Sequence, residues 1–301
     1  MMQKTQETNA PVARPLLRQP GQHRSEVSRS WRRFRRYRPG IAGLIFILIL
    51  IVLATAAPLV APYPPNAITT ARIGEGPSLA HPFGFDELGR DVLSRMIYGA
   101  RAALLIGILA TGLAVCIGTM VGSLSGYFGG WVDALLSRVV DTLMAFPILI
   151  LLLTLSAVFG PGLKTVILIL GATLWATYAR VVRADVLSLR EREYVLAARA
   201  AGATGMRITL RHILPNVLGP VIVIATLSVG LVIIISAALS FLGLGVPPPA
   251  ASWGGDLSSA RVNMQYYPHT AIVPGTMITL TVLAFNLVGD GLRDALDPRS
   301  K

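Results

Sequence analysis

Cysteine and charge are the two scarce commodities of this chain. A single cysteine, Cys116, stands in 301 residues. It excludes an internal disulfide, and its place inside an apolar run predicts a buried small hydrophobe. Charged residues make up 14% of the chain, against about 25% in ordinary soluble domains, which excludes that class. Phosphate-cradling chemistry is missing as well. Gly107, Gly112, Gly118, Gly122 and Gly126 are not followed by Lys-Ser/Thr at the P-loop spacing, so no ATP site is legible. No HExxH-type spacing, Cys/His cluster or nucleophile–base pair stands out, so neither a metal, a cofactor nor an enzymatic site is expected. His81, Asp86, Glu87 and Asp91 crowd together, but one His without Cys is a poor zinc set. They read instead as salt-bridged turns.

What the chain has in quantity is apolar residue, 53% of the total. Uncharged runs near 20 residues recur, which predicts an all-α polytopic membrane protein with six transmembrane helices. The first run is Ile41–Ala61. Ala54-Thr55-Ala56 near its end imitates a cleavage site, but the basic region before it is too long for a leader, and a retained span is expected. The second lies within Ala102–Gly126, where Gly118, Gly122 and Gly126 recur every four residues and permit close helix approach in lipid. The third is expected to start near Thr142, because Asp133, Arg138 and Asp141 are costly at mid-bilayer, with Pro147 early in it. Phe159-Gly160-Pro161-Gly162 turns the chain into a fourth span, Thr165–Ala179, flanked by Lys164 and Arg180. The fifth lies within Val217–Gly245 and the sixth within Thr270–Gly289. Trp253, Tyr266 and Tyr267 between them suit a membrane interface. Polar candidates inside the spans are Thr154, Ser156, Thr173, Tyr178, Ser228, Ser236, Ser240, Thr279 and Asn286. They could line a path, although mid-membrane Ser and Thr more often bond their own helix.

The net charge of +12 points to membrane topology rather than to nucleic acid, because the basic residues flank the apolar runs. Arg32, Arg33, Arg35, Arg36 and Arg38 precede the first span and face anionic lipid in this reading. Seven arginines fall between Arg180 and Pro215. The bias places both termini and that loop in the cytoplasm. The resulting divisions are a basic, largely disordered tail (1–40), a first helix with an external loop (41–101), a transmembrane core (102–292) with a cytoplasmic loop (180–215), and a cytoplasmic C-terminal tail (293–301).

Within that loop, Glu193–Pro215 draws a helix–Gly–helix hook. Tyr194, Ala197, Ala198 and Ala201 share one helical face, with Arg199 projecting elsewhere. Gly202 breaks the helix. A second short helix from about Thr204 to His212 carries Met206, Thr209 and Leu210 on one side, and Pro215 is expected to stop it. A lipid-surface helix would carry bulkier apolar residues; small residues instead favour close docking of another protein.

This segment resembles the cytoplasmic loop of ABC-importer permeases, patterned Glu-Ala-Ala, three residues, Gly, then an Ile/Leu-Pro ending. Ala197, Ala198, Gly202, Leu214 and Pro215 match; Leu196 stands where the motif has Glu. The stretch His81–Arg95, the DTLMAFP of Asp141–Pro147, the PPxxxxWGGDL pattern ending at Leu257 and the end Asp290–Arg299 are similar to the dipeptide/oligopeptide/nickel branch, with Phe85 where that branch commonly has Thr. The resemblance implies the type I importer permease fold in a bacterial inner membrane, a coupling role for Ala197, Ala198, Arg199, Ala201, Gly202, Ala203, Leu214 and Pro215, and four kinds of partner. These are cytoplasmic ATP-binding subunits, a second homologous permease, an external solute-binding protein and membrane lipid, with no nucleic acid. The function it implies is inward transport, with di- or oligopeptides the expected substrate, by alternating access. The competing class is an autonomous secondary transporter or channel. Those place ionisable residues inside spans, and these runs hold essentially none. Proteoliposomes of this chain alone are therefore expected to show neither ATP hydrolysis nor driven uptake, whereas ion-gradient-driven uptake by the lone chain would favour the autonomous transporter.

Overall fold

The computed structural model describes residues 31–296. The expected disorder up to about Arg29 and the terminal Asp297-Pro298-Arg299 lie outside the described residues. The fold is built from helices α1 (Arg38–Thr55), α2 (Val92–Phe128), α3 (Gly130–Ala145), α4 (Ile148–Phe159), α5 (Leu163–Arg190), α6 (Glu193–Ala200), α7 (Gly205–Phe241), α8 (Trp253–Ala260) and α9 (His269–Leu296). Five of them are long and apolar enough to cross a membrane, and six spans result when the bent pair α3–α4 counts as one.

Several boundaries differ from the sequence expectation, each for a local reason. The external loop ends at Asp91 rather than Arg101. The Asp91 carboxylate caps α2 by accepting the Ser94 N–H at 2.8 Å, and buried Arg95 finds carboxylate partners, so the helix starts ten residues early. The third span is not a straight helix from Thr142. Phe146 and Pro147 adopt extended backbone, and α3 and α4 meet at 89°, because the missing proline N–H and ring geometry break the ladder there. The helix α5 runs on to Arg190, well past Ala179, since Arg183 and Arg190 both reach partners on neighbouring elements. Likewise α9 continues to Leu296, into the stretch expected to be a tail.

The most extensive helix–helix contact joins α2 to α5. A Cβ on Gly122 would lie 2.5 Å from the Ala179 carbonyl oxygen and 2.8 Å from Val182 Cβ, and one on Gly126 would lie 2.8 Å from Val186 Cβ. The every-fourth-residue glycines thus form the flat face the sequence predicts, and backbone meets backbone along it. Gly112 is not part of that face and has open space around it. Elsewhere, Gly43 of α1 lies against the Ala284 carbonyl of α9, and Gly107 of α2 against Val229 and Ile233 of α7. The apolar core divides accordingly. One cluster joins α1, α2, α7 and α9 around Leu50, Met96, Ile233 and Phe285. A second joins α2, α4, α5 and α7 around Ile106, Leu152, Leu170 and Leu239.

Two residues sit opposite to expectation. Cys116 is exposed, because the glycine face of α2 turns inward and carries the other side of the helix out. Trp253 is buried at 2% exposure, its indole N–H donating to the Met96 carbonyl at 3.0 Å. It plugs α8 onto α2 above Gly99, rather than standing exposed as Tyr266 does. Replacing Gly122 by Ala should lower thermal stability in detergent by about 1–3 kcal/mol through overpacking, whereas Gly112→Ala should be neutral or stabilising by up to about 1 kcal/mol.

Candidate coupling site

The cytoplasmic hook is rooted by an apolar side chain that the sequence pattern did not single out. Val195 is fully buried, 0% exposed, against Val182 and Val186 of α5 and Ile208, Ile213 and Val217 of α7. Ala198 and Ala203 pack against the same cluster. The four residues expected to share a face therefore separate. Ala198 turns inward, and Tyr194, Ala197 and Ala201 remain exposed. The reason is the i, i+3 partnership of Val195 with Ala198, whose larger apolar member takes the core side.

The end of α6 is a Schellman turn. Gly202 has φ of +81°, its N–H bonds the Arg199 carbonyl at 3.0 Å, and the Ala203 N–H bonds the Ala198 carbonyl at 3.1 Å. Glycine removes a left-handed backbone cost of roughly 1–2 kcal/mol. Nothing lies within 4 Å of where a Gly202 Cβ would be, so the turn faces open space. Gly205 then starts α7 directly over Tyr127 of α2.

Pro215 does not stop the second helix, contrary to expectation. Gly205–Phe241 is continuous, and a wider π-type turn at Thr209–Ile213 absorbs the proline. The Leu214 N–H reaches back five residues to the Thr209 carbonyl. The His212 carbonyl is met by the Asn216 side-chain amide at 2.6 Å. Such a bulge is how a helix admits a residue that cannot donate. The same Asn216 amide lies 3.5 Å from the Tyr194 hydroxyl, linking α6 to α7. Leu214 is half-buried and Pro215 exposed.

What the hook presents outward is apolar and basic. Tyr194 and Leu196 are each 44% exposed. Met206 and Leu210 are also exposed, with Arg199, Arg207 and Arg211 among them. Leu196, in the position where the resembling motif has Glu, belongs to this outer surface. All eight candidate residues lie on the hook or its junction with α7, but Ala198, Ala203 and Leu214 serve its attachment more than its outer face.

Polar ties hold the helices beneath. Asp133 of α3 takes a two-pronged bond from Arg183 of α5 at 2.5 and 2.6 Å, and also accepts from Ser125 and Ser137. Arg190 donates to the Gly126 carbonyl at 3.1 Å. These pairs join residues far apart in sequence, and only their charge could have drawn notice.

On the opposite, external end, the crowded carboxylates are held by protein groups. His81 Nδ1 lies 2.8 Å from Asp91 Oδ1. Asp86 accepts from the Arg90 Nε at 2.6 Å. Arg95 donates through Nε and Nη2 to Asp256 of α8, at 2.8 and 2.5 Å. Burial pushes the Asp256 carboxyl up to about 6 while Arg95 pulls the other way. The salt-bridged reading of this loop describes it well. Four of the nine polar candidates inside the spans bond locally: the hydroxyls of Thr154, Thr173, Ser236 and Thr279 donate to carbonyls of their own helices.

Residues 118–301 match the model of the binding-protein-dependent transport system inner membrane component, and residues 25–80 that of the N-terminal TM domain of oligopeptide transport permease C. The chain is 44% identical over 290 residues to the glutathione transport system permease protein GsiD of Escherichia coli O6:K15:H31 (strain 536 / UPEC), covering 96% of this chain and 95% of that one. The same identity and coverage hold for GsiD of Shigella boydii serotype 4 (strain Sb227). Among solved structures, the inward-facing MetNI methionine ABC transporter (CY5 SeMet soak crystal form) aligns with a TM-score of 0.56 at 22% identity, over 67% of this chain and 96% of that one. That likeness speaks for the fold. With its spans, its hook and its missing ATP site, the chain belongs to the binding-protein-dependent transport system inner membrane components, as a multi-pass permease subunit of an ABC importer whose ATPase is a separate subunit.

Proposed function

We propose that the Glu193–Pro215 hook is the point at which ATP-derived work enters this permease. Its outward residues, Tyr194, Leu196, Ala197, Ala201 and Gly202, dock into a cleft of the cytoplasmic ATPase subunit. The observation that carries this reading is the hook's two-sided build. Val195 and its cluster fasten it to α5 and α7, and an apolar, basic surface is left without cover among the described residues. A rigid attachment transmits displacement, and an uncovered apolar patch favours a protein partner. Movement of the hook then biases the ends of α5 and α7. Such coupling works only if the nucleotide-dependent state of the ATPase binds one membrane conformation better than the other.

In the same reading, a second, homologous permease completes the pathway, an external solute-binding protein delivers substrate, and anionic lipid meets the arginines before α1. The expected substrate is a short peptide, glutathione-like in the first instance. The 44% identity to glutathione permeases over nearly the whole chain supports that class. The divisions 1–40, 41–101, 102–292 and 293–301 remain a functional proposal, with the coupling portion narrowed to the hook itself.

Two variants separate docking from attachment. Ala201→Glu changes only the exposed face, so it should abolish ATP-driven uptake and weaken ATPase co-purification, with membrane insertion retained. Normal uptake and normal co-purification would sink the docking assignment. Val195→Ala should instead loosen the root, costing about 1–3 kcal/mol, and is expected to raise trypsin cleavage at Arg192 and Arg199 in membranes while leaving the outer face intact.

A further inference from the structure

Membrane-crossing helices of this chain mostly turn plain apolar residues outward. On α1 the exposed residues include Ile45, Leu48, Ile49 and Val52, and on α7 they include Ile222, Leu231 and Ile234. These faces suit lipid. On α9 a polar line runs beside the exposed Ile272 and Leu280. Thr276, Thr279, Leu283, Asn286, Asp290 and Arg293 are all exposed, and their spacing of three and four places them on one line along the helix.

The inner sides of α9 are already occupied. Ala284, against Gly43, faces α1, and Val282 and Gly289, against Gly230 and Leu227, face α7. The polar line is therefore left exposed by the packing of the described residues, with only the Asn286 Oδ1 edge meeting α7 beside Gly230. The hydroxyls of Thr276 and Thr279 donate to the Ile272 and Gly275 carbonyls at 2.7 and 2.8 Å. Their protons are spent, but their oxygens can still accept. Isolated threonines bonded in this way are tolerated in lipid, and Thr154 on α4 is one. Asn286 is not of that kind. Its Oδ1 lies beside Gly230, and its amide has no hydrogen-bond partner among the described residues. A free amide facing hydrocarbon costs on the order of 1–3 kcal/mol or more. A helix crossing lipid on this line would bear that cost for nothing.

Position along the helix gives the line a direction. At 1.5 Å per residue, Thr279 lies about 15 Å and Asn286 about 26 Å from the external end at His269. Uncharged acceptors at mid-depth thus lead to an amide, and then to Asp290 and Arg293 at the cytoplasmic end. We infer that the Thr276–Thr279–Asn286 line of α9 lines the aqueous substrate path, from its outer half through mid-depth toward the cytoplasm. Asn286 offers both a donor and an acceptor to the amide groups of a passing peptide. This assignment rests on the importer reading given above. Its chemistry is that of a neutral, hydrogen-bonding wall, which passes a peptide backbone without trapping it in an ion pair.

The test is cysteine accessibility in the assembled importer. In a Cys116→Ala background, Thr279→Cys, Asn286→Cys and, as a lipid-facing control, Ile49→Cys are introduced one at a time. Inverted membrane vesicles, cytoplasmic face outward, are treated with a charged, membrane-impermeant methanethiosulfonate. Both α9 cysteines are expected to react about tenfold faster than the Ile49→Cys control, or more, as water-facing thiols should. Equal rates would place the line in lipid and overturn the inference. Reaction in the chain expressed alone, but not in the complex, would place it against the second permease and overturn it equally. Receptor-dependent peptide uptake by the Cys116→Ala complex is measured in parallel in intact cells that carry no other peptide importer. Its absence would count against the importer reading, independently of the labelling result.

Discussion

The close approach of α2 to α5 is the constraint on which the rest of the structure depends. Three glycines on α2 allow the α5 backbone to lie against it, with Tyr178, Ala179, Val182 and Val186 filling the contact. In lipid, apolar side chains gain little by meeting one another, so van der Waals contact at short range is a main source of helix association. Once α5 is seated, Arg183 reaches Asp133 and Arg190 reaches the Gly126 carbonyl. Val182 and Val186 also present the floor on which Val195 of the hook rests. The hook's placement at the cytoplasmic end is thus a consequence of a glycine face on another helix.

The two ends of the molecule are built by different physics. At the external end, charge does the work. Asp86, Arg90 and Arg95 are buried together beside the half-buried Asp256, and Arg95 ties the first loop and α2 to α8. Breaking one partner of such a network leaves an uncompensated charge, so its members hold each other in register. At the cytoplasmic end the hook is held by apolar packing and a Schellman turn, while its arginines stay outside. On the proposed docking role, a partner would meet the charged surface while the anchor stays dry.

Much of this was legible from residue order. The spans follow from run length and bilayer thickness, and the glycine face from a repeat of four. The break at Gly202 follows from the freedom of glycine. Local signals misled where a tertiary contact outweighed them. Pro215 reads as a stop, yet a π-type turn and the Asn216 amide carry the helix through it. Charge reads as a boundary near Arg180, yet α5 continues because its arginines find Asp133, Asp141 and Gly126. Trp253 reads as an interfacial ring, yet it is the plug between α8 and α2.

The sequence by itself determined that this is a helical membrane protein with no ATP site, where its spans lie within a turn or two, and which loop faces the cytoplasm. Those properties depend on hydropathy, motif spacing and charge bias, which are summed along the chain and need no partner. Only the tertiary structure decided which residue of the hook is buried, which way Cys116 and Trp253 turn, and that Asn286 is exposed on α9 beside Gly230. Each of those is the outcome of a competition among neighbours brought together from distant parts of the chain, and a helical repeat names the faces without saying which of them wins the core.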